Sequence, residues 1–95
     1  MYRSLFYDSV GSRIIGAGCD AQCIDTFDLN LNRLTTLSFS GLCPHGVTVY
    51  NTKIYATFWT NGNLVEITNN VVTNTFTTVC SNRVAGIIFK TKTFQ

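Results

Sequence analysis

The chain repeats itself. Two copies of one pattern of short β-type runs lie about forty residues apart. In the first, Arg13-Ile-Ile-Gly-Ala17 is followed by a turn, then by Cys23-Ile-Asp-Thr-Phe27, an Asn-rich turn, and Leu34-Thr-Thr-Leu-Ser-Phe39. In the second, Lys53-Ile-Tyr-Ala-Thr57 leads through a turn to Asn63-Leu-Val-Glu-Ile67, another Asn-rich turn, and Val72-Thr-Asn-Thr-Phe-Thr77. A period of this size points to a propeller or array, whose units bury their apolar faces only by stacking on one another.

Almost every apolar run is short and closes on Gly, Asn, Asp or Ser, the strand-and-turn rhythm of an all-β protein. Thr, Val, Ile, Phe and Tyr dominate the runs, as strands favour. No stretch carries a sustained helical period. Each copy divides into four strands: 4–8, 12–17, 22–28 and 33–39 in the first, 46–50, 53–58, 63–67 and 72–78 in the second. Asn61-Gly62 between two β-rich runs predicts a type I′ hairpin turn, in which both central residues take positive φ. Val10-Gly11-Ser12, Asn30-Leu-Asn32, Asn51-Thr52 and Asn69-Asn70 mark further turns. After Arg83, Gly86-Ile-Ile-Phe-Lys90 matches Gly46-Val-Thr-Val-Tyr50 and opens a third copy.

Residues 1–95 therefore read as a single all-β unit. It consists of two four-stranded antiparallel propeller-type blades, at about 4–39 and about 46–78, and an extra C-terminal strand at about 84–90. A sheet with apolar residues on both faces needs cover on both sides. Radial stacking supplies it, with known propellers using about four to eight blades. Two blades cannot close a ring. The expected partners are further copies of the chain or a larger parent chain. Head-to-tail contacts close when the rotation allows: three copies would give six blades, with strand 84–90 latching onto a neighbour. A compact β-sandwich of seven or eight strands is the rival architecture for this length.

Composition narrows the function classes. Ninety-five residues allow one ordinary domain with a modest core, and 45% hydrophobic content excludes disorder. Charged residues make up 13%, about half the usual ~25%, so Thr, Ser and Asn dress the surface, as in many extracellular and viral β-proteins. The net charge is +2 and the seven basic residues are scattered. Lys90 and Lys92 alone approach a patch, and alternate spacing reads as an edge strand blunted by lysines, so nucleic acid is not an expected partner. No run reaches the ~18 apolar residues of a membrane span, and Met1-Tyr-Arg-Ser-Leu-Phe-Tyr-Asp8 lacks the apolar core of a signal peptide. No membrane partner is expected and localisation stays open. EF-hand, P-loop and dinucleotide fingerprints are absent from the sequence, as is a nucleophile elbow, so no cofactor is expected.

The stretch Cys43-Pro-His-Gly-Val-Thr-Val49, continued by Lys53-Ile-Tyr-Ala-Thr57 and Gly62-Asn-Leu-Val-Glu-Ile67, resembles a blade of the NHL-type and streptogramin-lyase-type propellers. Such blades open with a Pro-x-Gly-apolar-x-apolar strand and continue through an apolar-Tyr-apolar-Thr strand. The resemblance covers residues 43–78, and 4–39 more loosely. It implies a propeller fold in a family that holds lyases, lactonases, amidating lyases and pure binding modules. In the streptogramin lyases the second strand of some blades ends in Trp-Phe-Thr-Glu, whose acid belongs to the active-site face. Here Phe58 follows Tyr55-Ala-Thr57 and Gly18 follows Ile15-Gly-Ala17. With no carboxylate at either place, the lyase activity does not carry over.

Few residues are candidates for chemistry. His45, the one histidine, sits at a strand entry. A lone histidine can serve as a general base, but that role needs an orienting carboxylate or a nucleophile within reach, so a structural or weak binding role is favoured. Phe58-Trp59 beside the Asn61-Gly62 turn suits stacking on a sugar ring or filling a partner's pocket; capping the core is the competing role. Four cysteines allow three full pairings. Cys19 and Cys23 bracket a hairpin tip and suit a cross-strand disulfide. Cys43 and Cys80 both follow a fourth strand, where equivalent loops would bring them together, but unpaired structural thiols are the first reading and the two disulfides the second. Zinc held by cysteines and His45 is disfavoured because Cys43-x-His45 is too tight, so no metal is expected. The five acids show no catalytic pairing: Asp20 and Asp28 read as turn residues, while Asp25 and Glu66 alternate with apolar neighbours and are expected to face solvent.

These residues describe a non-enzymatic binding or assembly module with a carbohydrate or protein ligand. The alternatives are a fragment of a lyase- or lactonase-type propeller enzyme and a lectin-like carbohydrate-binding propeller.

Overall fold

The short β-type runs form eight strands in a computed structural model that describes residues 2–77. They are β1 (Ser4–Asp8), β2 (Arg13–Gly18), β3 (Cys23–Phe27), β4 (Arg33–Ser38), β5 (Pro44–Tyr50), β6 (Lys53–Phe58), β7 (Asn63–Thr68) and β8 (Val71–Thr77). The first four pair in chain order as one antiparallel sheet and the last four as a second. The protein is all-β, with two four-stranded antiparallel sheets and no helix among the described residues. The extra strand expected at 84–90 and the Lys90/Lys92 edge lie outside the described residues, as does Cys80.

Turn chemistry sets the strand register. Asn51-Thr52 and Asn69-Asn70 are two-residue connections with both φ values positive (52° and 68°; 53° and 62°), the type I′ requirement. The Asn61-Gly62 expectation is corrected: residues 59–62 form a four-residue loop in which Gly62 (φ 72°) takes the left-handed conformation and Asn61 does not. The Asn61 side chain explains the difference. Its Oδ1 accepts the Asn63 amide at 2.9 Å, an Asx turn that needs no positive φ at Asn61, while the Gly62 amide donates to the Phe58 carbonyl at 3.0 Å. At the β1–β2 turn, Asp8 accepts from the Gly11 amide at 3.0 Å and from Arg13 Nε at 2.9 Å. Burial pulls the Asp8 carboxyl upward, but these two donors hold it below its usual range.

Alternation along the strands builds one core between the sheets. Ile15, Ala17 and Ile24 of the first sheet meet Val47, Ile54, Ala56, Phe58, Val65 and Ile67 of the second, with Phe6, Leu37, Phe39 and Val49 packed around them. Strand β5 lies against β1 and β2. Phe39, just past β4, meets Phe58 edge to face with ring centroids 4.9 Å apart, an arrangement that adds to the burial of two large rings.

The registers of the two sheets match position by position. Across the second sheet, Val47 pairs with Ala56 and Ala56 with Val65; across the first, Leu5 pairs with Gly16 and Gly16 with Asp25. One row further along, Val49, Ile54 and Ile67 correspond to Tyr7, Ile14 and Phe27. The residues that the second sheet turns toward the first therefore correspond to those the first sheet turns away from the core. On that outward face Leu5 is 64% and Tyr7 61% exposed, whereas Val47 is 6% exposed at the matching place.

Candidate binding site

Antiparallel pairing gathers the 19–22, 39–43 and 59–62 connections at one end of the two sheets. Backbone and side-chain bonds tie these connections together. The Phe39 amide donates to the Gln22 carbonyl at 2.7 Å and the Gly41 amide to Gln22 Oε1 at 3.2 Å. The Trp59 amide donates to the Cys43 carbonyl at 2.9 Å, and the Cys43 amide to Thr60 Oγ1 at 2.8 Å. A disulfide between Cys19 and Cys43 links the first sheet to the second.

Within this end lies a cleft of about 240 Å³ lined by Arg3, Cys19, Cys43, His45 and Trp59. The His45 ring stacks on Trp59 with centroids 5.1 Å apart and planes inclined by 30°. Trp59 remains 40% exposed, and Arg3 faces Asp20 with Nη2 3.8 Å from Oδ1. The lining of the cleft thus brings together a stacked aromatic pair, an arginine and both halves of the disulfide.

His45 and Trp59, two of the candidate ligand-contact residues, come together here. Phe58 does not: it is 1% exposed in the core, because strand alternation points it opposite to its neighbours and onto Phe39. The cysteine expectations are also corrected. Cys19 pairs with Cys43 and not with Cys23, so Cys43 is already engaged, and Cys23 is a buried free thiol. The physical reason is parity and loop placement. Cys23 belongs to a strand face, paired with Gly18 across β2–β3, while Cys19 sits in the loop that meets the 39–43 connection. Arg3 was not among the expected residues; nothing in the local pattern connects position 3 with positions 43–59, which only the packing of β5 on β1 brings close.

Asp25 and Glu66 were expected to face solvent, and both are buried, at 2% and 7% exposure. Tyr2 covers Asp25. Its ring meets Phe27 edge-on at 5.7 Å and its hydroxyl donates to the Asp25 carboxylate. Burial and then this bond push the Tyr2 phenol up to about 12. Arg33 Nη1 stands 4.0 Å from Asp25 Oδ2. Burial, and then the charge of Asp25, push the neighbouring Cys23 thiol up, the opposite of what a nucleophilic cysteine needs.

Glu66 is saturated. Asn74 Nδ2 (2.9 Å) and Thr73 Oγ1 (2.8 Å) donate to Oε1, the Tyr55 hydroxyl donates to Oε2 at 2.8 Å, and Lys53 Nζ stands 3.8 Å away. The bonds from Asn74, Tyr55 and Thr73 hold the carboxyl down at about 2, and the Glu66 bond raises the Tyr55 phenol. A carboxylate fixed in this way is a standing acceptor, far from the near-neutral pKa that proton transfer wants. Among the described residues, no group of three or more His, Cys, Asp or Glu side chains is placed to hold a metal ion, and no helix is long and apolar enough to cross a membrane. Comparison with family models, with curated proteins and with solved structures finds no match to this chain.

Proposed function

We propose that this protein is a non-enzymatic binding and assembly module of propeller-type blades, joined to further blades through its sheet faces. One observation carries the reading. Leu5 and Tyr7 are largely exposed at the positions where Val47 and Val49, their counterparts in the second sheet, pack against the first. The Leu5 and Tyr7 row of this face, beside the Gly16 and Asp25 positions that Tyr2 covers, is suited to cover by another copy of the chain or by another sheet of a parent chain. Covering an exposed Leu is worth about 1.5–3 kcal/mol, and a front-to-back contact of this kind is heterologous and closes as a ring where the rotation allows.

The acids support assembly over lyase or lactonase chemistry. Asp25 is enclosed by Tyr2 and faced by Arg33, and Glu66 is filled with donors. Glu66, fixed in this way, serves better as an internal anchor than as a proton carrier.

Light scattering on the purified 95-residue chain tests this. A mass near three times 10.5 kDa is expected, falling to that of one chain in Leu5→Asp. A wild-type monomer that unfolds cooperatively would overturn assembly from copies of this chain.

A further inference from the structure

The Arg3–His45–Trp59 cleft has a chemistry that stacking of sheets does not use. We infer that it is a binding site for a single carboxylated sugar ring of the uronic-acid type.

Size comes first. At about 240 Å³ the cleft is smaller than the roughly 300–1,000 Å³ of drug-sized pockets, and matches one ring rather than a chain. The wall comes second. Trp59 offers an indole that is 40% exposed, and stacking with His45 fixes its orientation before any ligand arrives. A pyranose presents a flat C–H face to such a ring, and a prearranged wall lowers the ordering cost of binding. The disulfide and the bonds from Trp59 and Cys43 hold the same wall in place.

The rim sets the charge. Arg3 lines the cleft, and its guanidinium fork suits a carboxylate. Its ion-pair contact with Asp20 is long at 3.8 Å, and the two side chains are 49% and 69% exposed. An exposed pair of this kind contributes little stability, so a ligand carboxylate takes the place of Asp20 at low cost. Asp20 repels any anion that approaches Arg3, so removing its charge should tighten a carboxylate ligand.

Trp59 is the chain's one tryptophan, so its emission reads the cleft directly. The 95-residue chain is titrated in parallel with D-glucuronate and D-glucose. The expected result is a saturable change with glucuronate at an affinity at least about tenfold above glucose, the size of one charge-assisted hydrogen bond. Arg3→Gln should bring glucuronate down to the glucose level with the melting temperature unchanged, and Asp20→Asn should tighten glucuronate and leave glucose as it was. Equal affinities for the two sugars, no saturable response to glucuronate, a glucuronate response that survives Arg3→Gln, or no tightening in Asp20→Asn would each overturn the inference. Neither sugar titration depends on the mass of the assembly.

Discussion

The ring of Tyr2 occupies the space that a side chain at Gly16 would need. A Cβ on Gly16 would lie 2.7 Å from Tyr2 Cδ1 and 2.9 Å from Cε1. In the second sheet the matching position holds Ala56, which is fully buried in the core. Gly16 thus admits Tyr2 as the cover for Asp25. Gly16→Ala should expel the ring and cost about 1–3 kcal/mol in urea denaturation, the usual penalty of overpacking. Tyr2→Phe, which removes the hydroxyl from Asp25, should cost about 1–2 kcal/mol. The two losses should be less than additive in the double variant, since Gly16→Ala already breaks the contact.

Stability should fall at both ends of the pH scale for identifiable reasons. Folding lowers the Glu66 carboxyl from 4.5 to about 2, so its contribution is complete above 4.5 and disappears as the pH drops toward 2. Folding raises the Tyr2 phenol from 10.0 to about 12, so its contribution is complete below 10.0 and disappears as the pH climbs toward 12. Melting temperatures across the pH range check this. Glu66→Gln should make the acid limb shallower, and Tyr2→Phe the alkaline limb.

The second residue of the 51–52 turn is a β-branched side chain at φ 68°. That conformation costs an ordinary L-residue about 1–2 kcal/mol, and Asn-Gly is the preferred pair in a type I′ turn. Thr52 is exposed and contributes nothing to the core. Thr52→Gly should raise stability, by up to about 1 kcal/mol after the greater freedom of glycine in the unfolded chain is subtracted. A chemical denaturation midpoint that stays put or falls would contradict this.

The Cys19–Cys43 bridge spans a sequence separation of 24. A loop of that length is worth about 3 kcal/mol in the chain-entropy account. Cys43→Ser, or reductant added to the wild type, should lower the melting point accordingly. Cys23 provides an internal control: buried and with its thiol pushed up, it should resist alkylation in the folded chain and react only on unfolding.

Much of this architecture was legible in the chain. Short alternating runs placed all eight strands to within two residues, and Asn51-Thr52 and Asn69-Asn70 marked their turns, because strand period and turn chemistry are local properties. What could not be read depends on how one sheet meets another. The Asn61 side chain diverted its turn into a longer loop. Tyr2 reached across to Asp25, 23 positions on, and hid a residue whose neighbours suggested exposure. Cys19 found Cys43 because the 19–22 and 39–43 connections share an end. His45 and Trp59 could be flagged by type, but the arginine that lines the same cleft could not.

The disulfide also gives the molecule a direction. It fastens the sheets at the end that holds the small cleft. At the other end, around the 9–12, 51–52 and 69–70 turns, residues of both sheets line clefts of about 480 and 520 Å³. Thermal breathing should therefore run like the opening of a clamp, widest at the turns and least at the bridge. Amide exchange would report it as a gradient along each strand, fast at Val49 and Ile54 and slow at Ala17 and Phe58. Whatever binds at the bridged end meets a surface that stays still while the far end moves.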